Sequence, residues 1–184
     1  MAQFPFAHTI DMSYKLQDGI LEVETKIENH ATEWMPLGVG FHPYFRLYDA
    51  PRDQWLVTLP AKQHVVLSKQ LIPTGETKPM PFKGSTFLNG IALDDVFTDL
   101  IRGESGRAEF SVTGVSQRIS VLYGPKYPVA VVYAPAGKDF ICFEPMTGLT
   151  NAFNLNHTGK YQDLQTIPAG GQWKESFWIR ADNF

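Results

Sequence analysis

Three short stretches of the chain hold side chains able to move protons. In GVGFHPYFRL (residues 38–47) one imidazole, His42, stands among apolar and aromatic residues. In IALDDVFTDL (91–100) two carboxylates, Asp94 and Asp95, lie between Leu93 and Val96. In KDFICFEPMTGLTNAFN (138–154) Glu144 sits between Phe143 and Pro145. An imidazole titrates near neutral pH and can give or take a proton there. A carboxylate held among apolar groups rises above its ordinary pKa of about 4.3 and becomes a better base near neutrality. Taken singly, each has a plainer reading. A lone histidine in a strand-like run is more often a packed residue than a catalyst. Glu144 pointing into water at a strand end is as good a reading as a desolvated base. An isolated Asp-Asp is better read as capping a short turn than as ligands.

Period-two alternation refines this picture. If 139–144 is a strand, Phe140, Cys142 and Glu144 share a face, with Glu144 at the strand end before Pro145 stops the ladder. In the first stretch Gly40, His42 and Tyr44 share a face. Gly40 leaves space there, either for a ligand or for close packing.

The elements that must position these groups are β almost throughout. HTIDMSYKLQDGILEVETKIENH reads as two strands about the turn Gln17-Asp18-Gly19, since Asp-Gly between alternating runs marks a hairpin. In its second half Leu21, Val23, Thr25 and Ile27 alternate with Ile20, Glu22, Glu24 and Lys26, as in a half-buried antiparallel strand. Further strand candidates are PLGVGFHPYF, QWLVTLP, HVVLSK, AEFSVTG, RISVLYG, VAVVYAP, DFICFEP and KESFWIRA. Thirteen prolines and fifteen glycines leave little room for helix. The segment from Leu71 to Asn89 reads as the longest loop. The expected architecture is one all-β sandwich domain over residues 1–184.

Composition narrows the function classes. With 184 residues, 43% apolar and 19% charged, the chain is globular in type. A net charge of −3 and no long Lys/Arg run argue against a nucleic-acid partner. No apolar stretch of about 18 residues and no basic, apolar leader occur, so neither a membrane partner nor a signal peptide is expected, and the compartment expected is the cytoplasm. Cys142 is the sole cysteine, which excludes an internal disulfide and a multi-cysteine zinc site. The five histidines, at 8, 30, 42, 64 and 157, lack ligand-like spacing, so no metal is expected. No GxSxG, P-loop or GxGxxG segment is present. Trp34, Trp55, Trp173 and Trp178 are candidates for a stacking platform.

Taken together and in this order, FHPYFRL, LDDVF and CFEPMTGLTNAFN resemble the aldose 1-epimerase (galactose mutarotase) family, and the resemblance runs over essentially the whole chain. It implies a galactose mutarotase-like antiparallel β-sandwich (a supersandwich) with a hexose site on a concave face, and no cofactor or metal. It implies Glu144 as general base, His42 as general acid and Asp94 as a ligand of sugar hydroxyls, with Tyr44 shaping the site and Asp95 in a supporting or turn position. The implied activity is interconversion of α and β anomers of a free hexose. The alternative is a carbohydrate-binding or assembly domain with impaired catalysis. Family members also carry a substantial N-terminal region, with a second active-site histidine in an N-x-x-H-G-like segment and a substrate-contacting arginine, that has no counterpart here. The chain therefore resembles the C-terminal part of an epimerase. A sandwich short of strands exposes edges or core surface, so a homo-oligomer or another covering partner is expected. A hexose-phosphate substrate would need a basic pocket, for which Arg46, Lys83 and Arg102 are the candidates.

Overall fold

Residues 4–82 and 84–184 are described by a computed structural model. Alternating sequence becomes strand: β1 (His8–Gln17), β2 (Ile20–Asn29), β3 (Met35–Pro36), β4 (Tyr44–Phe45), β5 (Leu56–Thr58), β6 (Ala61–Leu67), β7 (Pro73–Pro79) and β8 (Ser85–Phe87). Then follow β9 (Leu93–Leu100), β10 (Ala108–Thr113), β11 (Arg118–Tyr123), β12 (Val129–Ala134), β13 (Ile141–Met146), the short helix α1 (Ala152–His157), β14 (Thr166–Ile167) and β15 (Gln172–Asp182). All strand pairing is antiparallel. One large sheet has seven strands in the order β1-β2-β15-β11-β10-β5-β8, a second has six in the order β4-β13-β12-β9-β6-β7, and β3 pairs with β14 in a small two-stranded sheet.

The two sheets share one core, with Val57, Phe110 and Val121 from the first meeting Phe97, Val132 and Phe143 from the second, all fully buried. A second, smaller cluster forms where Val65, Val96 and Val129 of the six-stranded sheet meet Leu149, Ala152 and Leu155, so α1 and its approach cover part of that sheet's outer face. The Asp18-Gly19 turn is as expected, with both residues at positive φ and β1 paired to β2 from Gln17–Ile20 outward. Among the described residues no helix is long and apolar enough to cross a membrane.

Two expectations fail here. The segment 71–89 is not one loop but contains β7 and β8, each at a sheet edge. Edge strands tolerate proline and polar side chains, so their sequence reads like a loop. The Asp94-Asp95 pair lies inside β9 and not in a turn, because both backbone neighbours pair with β12.

One region is unusual in its exposure. Every residue of β1 is exposed. Ile10, Met12, Tyr14 and Leu16 stand opposite Ile27, Thr25, Val23 and Leu21. They extend the core-facing side of β2, yet at 41–74% exposure they are left open.

Candidate active site

Strand register brings the separated stretches together. β13 pairs with β4 through Cys142–Tyr44 and Ile141–Phe45, and Gly40 bridges to Met146. That same register sets His42 opposite Glu144, with the ladder interrupted between them because Pro43 has no N–H to give. The His42 Nε2 lies 3.0 Å from Glu144 Oε1. The two ends of this contact differ: the His42 side chain is 48% exposed and that of Glu144 only 9%. Glu144 is not at a strand end as expected. Pro145 continues β13, pairing with Ala130, while its carbonyl accepts the N–H of Phe41.

A row of side chains crosses four strands beside this pair. Tyr44, Cys142, Tyr133 and Asp94 are successive cross-strand partners, and the next row is Glu144, Val131 and Val96. Apolar valines thus flank the carboxylate on its own row. His42 stacks on Tyr44 at 4.8 Å and meets Tyr133 edge-on at 6.0 Å, and Phe140 packs on both tyrosines. Burial, and secondarily the negative charge of Asp94, push the Glu144 carboxyl up to about 7. Burial and the charge of Glu144 push the Cys142 thiol up to about 12. The donor atoms of His42, Cys142 and Glu144 all lie within 4.8 Å of one another, the one grouping among the described residues with metal-ligand chemistry.

A mainly apolar cleft of about 350 Å³ is walled by Leu37–Gly40, Met146 and residues 148–154; it shares Gly40 and Met146 with the strands that carry the pair, but neither His42 nor Glu144 lines it. The space at Gly40 is not left for a ligand: a Cβ there would collide with the Met146 thioether, so the glycine serves close packing.

The other sequence candidates divide clearly. His42, Glu144, Tyr44 and Asp94 come to one face. Asp95 does not, since its side chain points to the opposite face and meets His64 Nε2 at 2.7 Å. Trp55 and Trp173 are core residues, Trp178 lies under Arg107, and Trp34 projects, exposed, from the loop between β2 and β3; none of the four packs on His42 or Tyr44 among the aromatic contacts of the described residues. The aromatics at the site are Tyr44, Tyr133 and Phe140. Tyr133 and Phe140 were missed as site residues, although VAVVYAP and DFICFEP alternate so as to put them on the Cys142 face. Arg102 is committed to the carbonyls of Gly106, Tyr123, Gly124, Pro125 and Tyr127, and Arg46 faces Asp139 at 3.6 Å. Lys83 lies outside the described residues.

A family model described as aldose 1-epimerase matches residues 2–180. The chain belongs to the aldose 1-epimerase family. Its fold is that of a galactose mutarotase-like protein from Clostridium acetobutylicum, with a TM-score of 0.84 at 19% identity over 98% of this chain and 58% of that one. Slr1438 from Synechocystis sp. PCC 6803 is similar with a TM-score of 0.77 at 28% identity, over 98% and 57% of the two chains. A galactose 1-epimerase from Lactobacillus acidophilus NCFM matches with a TM-score of 0.75 at 15% identity, over 97% and 58%. The chain thus spans somewhat more than half the length of these aldose 1-epimerase-like structures.

Proposed function

We propose that the chain interconverts the α and β anomers of a free hexose, with Glu144 as base and His42 as acid. The observation that carries this reading is the 3.0 Å contact between a carboxylate buried among valines and an imidazole open to solvent. Ring opening needs one group at each of two oxygens on the same carbon. Glu144 takes the proton from the anomeric hydroxyl. The O–H electrons form the carbonyl as the bond from C1 to the ring oxygen breaks, and the ring oxygen takes a proton from His42. Rotation about C1–C2 presents the other face of the aldehyde. On closure His42 recovers its proton and Glu144 returns the other, so both groups end as they began. In this reading Asp94 holds sugar hydroxyls and Tyr44 shapes the site beside the ring. The test is the polarimetric rate of anomer exchange for glucose and galactose. A Glu144→Gln chain should lose about 100-fold or more, the scale of a lost acid–base group. Equal, buffer-like rates for both chains would sink the enzymatic reading in favour of a binding or assembly domain.

A specific observation also favours a homodimer through the open edge of β1. Paired antiparallel to a second copy about Ser13, β1 sets Ile10 against Leu16, Met12 against Tyr14, and Asp11 against Lys15 twice over. Shifting the register by two residues either way loses both charge pairs. With Lys26 opposite Asp11 and Glu22 opposite Lys15 within each chain, the resulting row alternates in sign. Light scattering should give twice the chain mass. Lys15→Asp should return a monomer and the swap Asp11→Lys with Lys15→Asp should restore the dimer; a monomeric native chain refutes the arrangement.

A further inference from the structure

The proton transfers proposed above leave one reactive group without a part. Cys142 is fully buried in β13, yet it faces the side of the sheet that carries His42 and Glu144. One nitrogen, one sulfur and one oxygen donor therefore converge from two chain segments, with all three atoms within 4.8 Å. We propose that His42, Cys142 and Glu144 bind a zinc-type divalent cation, and that the bound ion blocks the acid–base pair and excludes sugar.

Coordination chemistry favours this class of ion over others. Three protein ligands with an open fourth position are the usual set of a non-structural zinc site, and tetrahedral bonds of roughly 2.0–2.3 Å put donors about 3.3–3.6 Å apart. His42 and Glu144, at 3.0 Å, must part slightly to admit an ion between them, and the Cys142 sulfur, within 4.8 Å of both, must draw in by about an ångström. The backbone about His42 is held by the Gly40 bridge and the Phe41–Pro145 hydrogen bond on one side and by β4 on the other, so the imidazole adjusts through its own side-chain torsions, with 48% of the side chain exposed. The thiolate and imidazole select zinc or copper, whereas magnesium and calcium prefer all-oxygen sets. Binding displaces the thiol proton to solvent as the sulfur–metal bond forms, so affinity should rise with pH. Spacing rules miss such a site, because its ligands are joined by cross-strand register and not by a motif within one segment. The sugar half of the inference rests on the anomer-exchange reading; the metal half does not.

The sole cysteine makes the decisive measurement simple. Cobalt(II) added to metal-free protein should give tetrahedral visible bands and a thiolate-to-cobalt charge-transfer band, which only Cys142 can supply. Calorimetry with zinc should give one ion per chain, weakened at least ~10-fold in Cys142→Ala. Zinc should slow anomer exchange in the native chain, and less so in Cys142→Ala relative to that variant's own metal-free rate. A cobalt complex of the native chain without charge transfer overturns the site, as does zinc affinity unchanged by Cys142→Ala. If the chain exchanges no anomers at all, the cobalt spectrum still decides the metal site separately.

Discussion

The six-stranded sheet carries two histidine–carboxylate pairs, and only one of them has the makings of an acid–base site. His42–Glu144 spans β13 and the segment before β4, with atoms 3.0 Å apart. His64–Asp95 spans β6 and β9 on the opposite face, with atoms 2.7 Å apart. Distance alone would rank the second pair higher. Environment reverses the order. The Asp95 side chain is 28% exposed and its histidine packs at a tilt against Phe97. Glu144 is nearly enclosed, with Val131 and Val96 on its row and the charge of Asp94 close enough to act on it. A carboxylate becomes a base for neutral pH through burial and a neighbouring like charge, not through contact with an imidazole.

The sharpest way to break this contrast is to neutralise each carboxylate in turn. Glu144→Gln should lower anomer exchange by about 100-fold or more, while Asp95→Asn should leave it within about twofold. Comparable losses in the two variants would mean that the opposite face takes part. In the native chain the rate should climb with pH through about 7, because Glu144 must be ionised to act and its carboxyl is pushed up to about 7. A rate already flat at pH 5 would show the carboxyl to be unshifted.

The same burial should be visible in stability. Glu144 moves from the ordinary 4.5 to about 7 on folding. Below pH 4.5 it is protonated in both the folded and unfolded chain and costs nothing. Between about 4.5 and 7 the unfolded chain loses this proton while the folded chain keeps it, so stability falls as pH rises. Above 7 the full cost, on the order of 3 kcal/mol, remains. Glu144→Gln has no such proton to lose. Denaturant unfolding should therefore find it more stable than the native chain at pH 8 by an amount of that order, and nearly equal at pH 4. A gap of the same size at both pH values would refute the desolvation argument.

Much of this was legible in the chain, for identifiable reasons. The β1–β2 hairpin announces itself through Asp18-Gly19 and strict alternation, and the common face of Cys142 and Glu144 follows from period two alone. Edge strands were not legible, since β7 and β8 have no second neighbour demanding apolar residues and so resemble a loop. Nor could Gly40 be assigned. Whether missing volume serves a ligand or a packed thioether depends on Met146, which reaches it only through a cross-strand bridge 106 positions away in sequence. The role of Asp95 failed for a similar reason: adjacent residues in a strand face opposite ways, so Asp94 and Asp95 could never serve one site once β9 formed.

Asp94 provides a finer test of what distinguishes the proposed acid–base pair. Its charge is the second cause of the raised Glu144 carboxyl, after burial. Asp94→Asn should therefore move the rising limb of the pH–rate profile to lower pH, but not back to the ordinary carboxylate range, because the valines and β12 still exclude water. A weaker apparent affinity for sugar should accompany the shift if Asp94 also holds hydroxyls. A full return to the ordinary range would make charge, not burial, the main cause.

The smallest effect is expected on the other face, and it completes the comparison. A part-exposed ion pair is worth about 1 kcal/mol or less, because water screens it and each side chain loses freedom in forming it. His64 also packs at a tilt against Phe97, so His64→Ala removes packing together with the pair. A double-mutant cycle with Asp95→Asn separates the two: the coupling between the substitutions should stay at or below about 1 kcal/mol, with the remainder assigned to the ring. Both substitutions should leave the pH dependence of anomer exchange where it was, since neither side chain touches the His42 face of the sheet. A coupling several times larger would mean that the Asp95 carboxylate is held as tightly as that of Glu144. Burial would then fail as the feature that sets the two pairs apart.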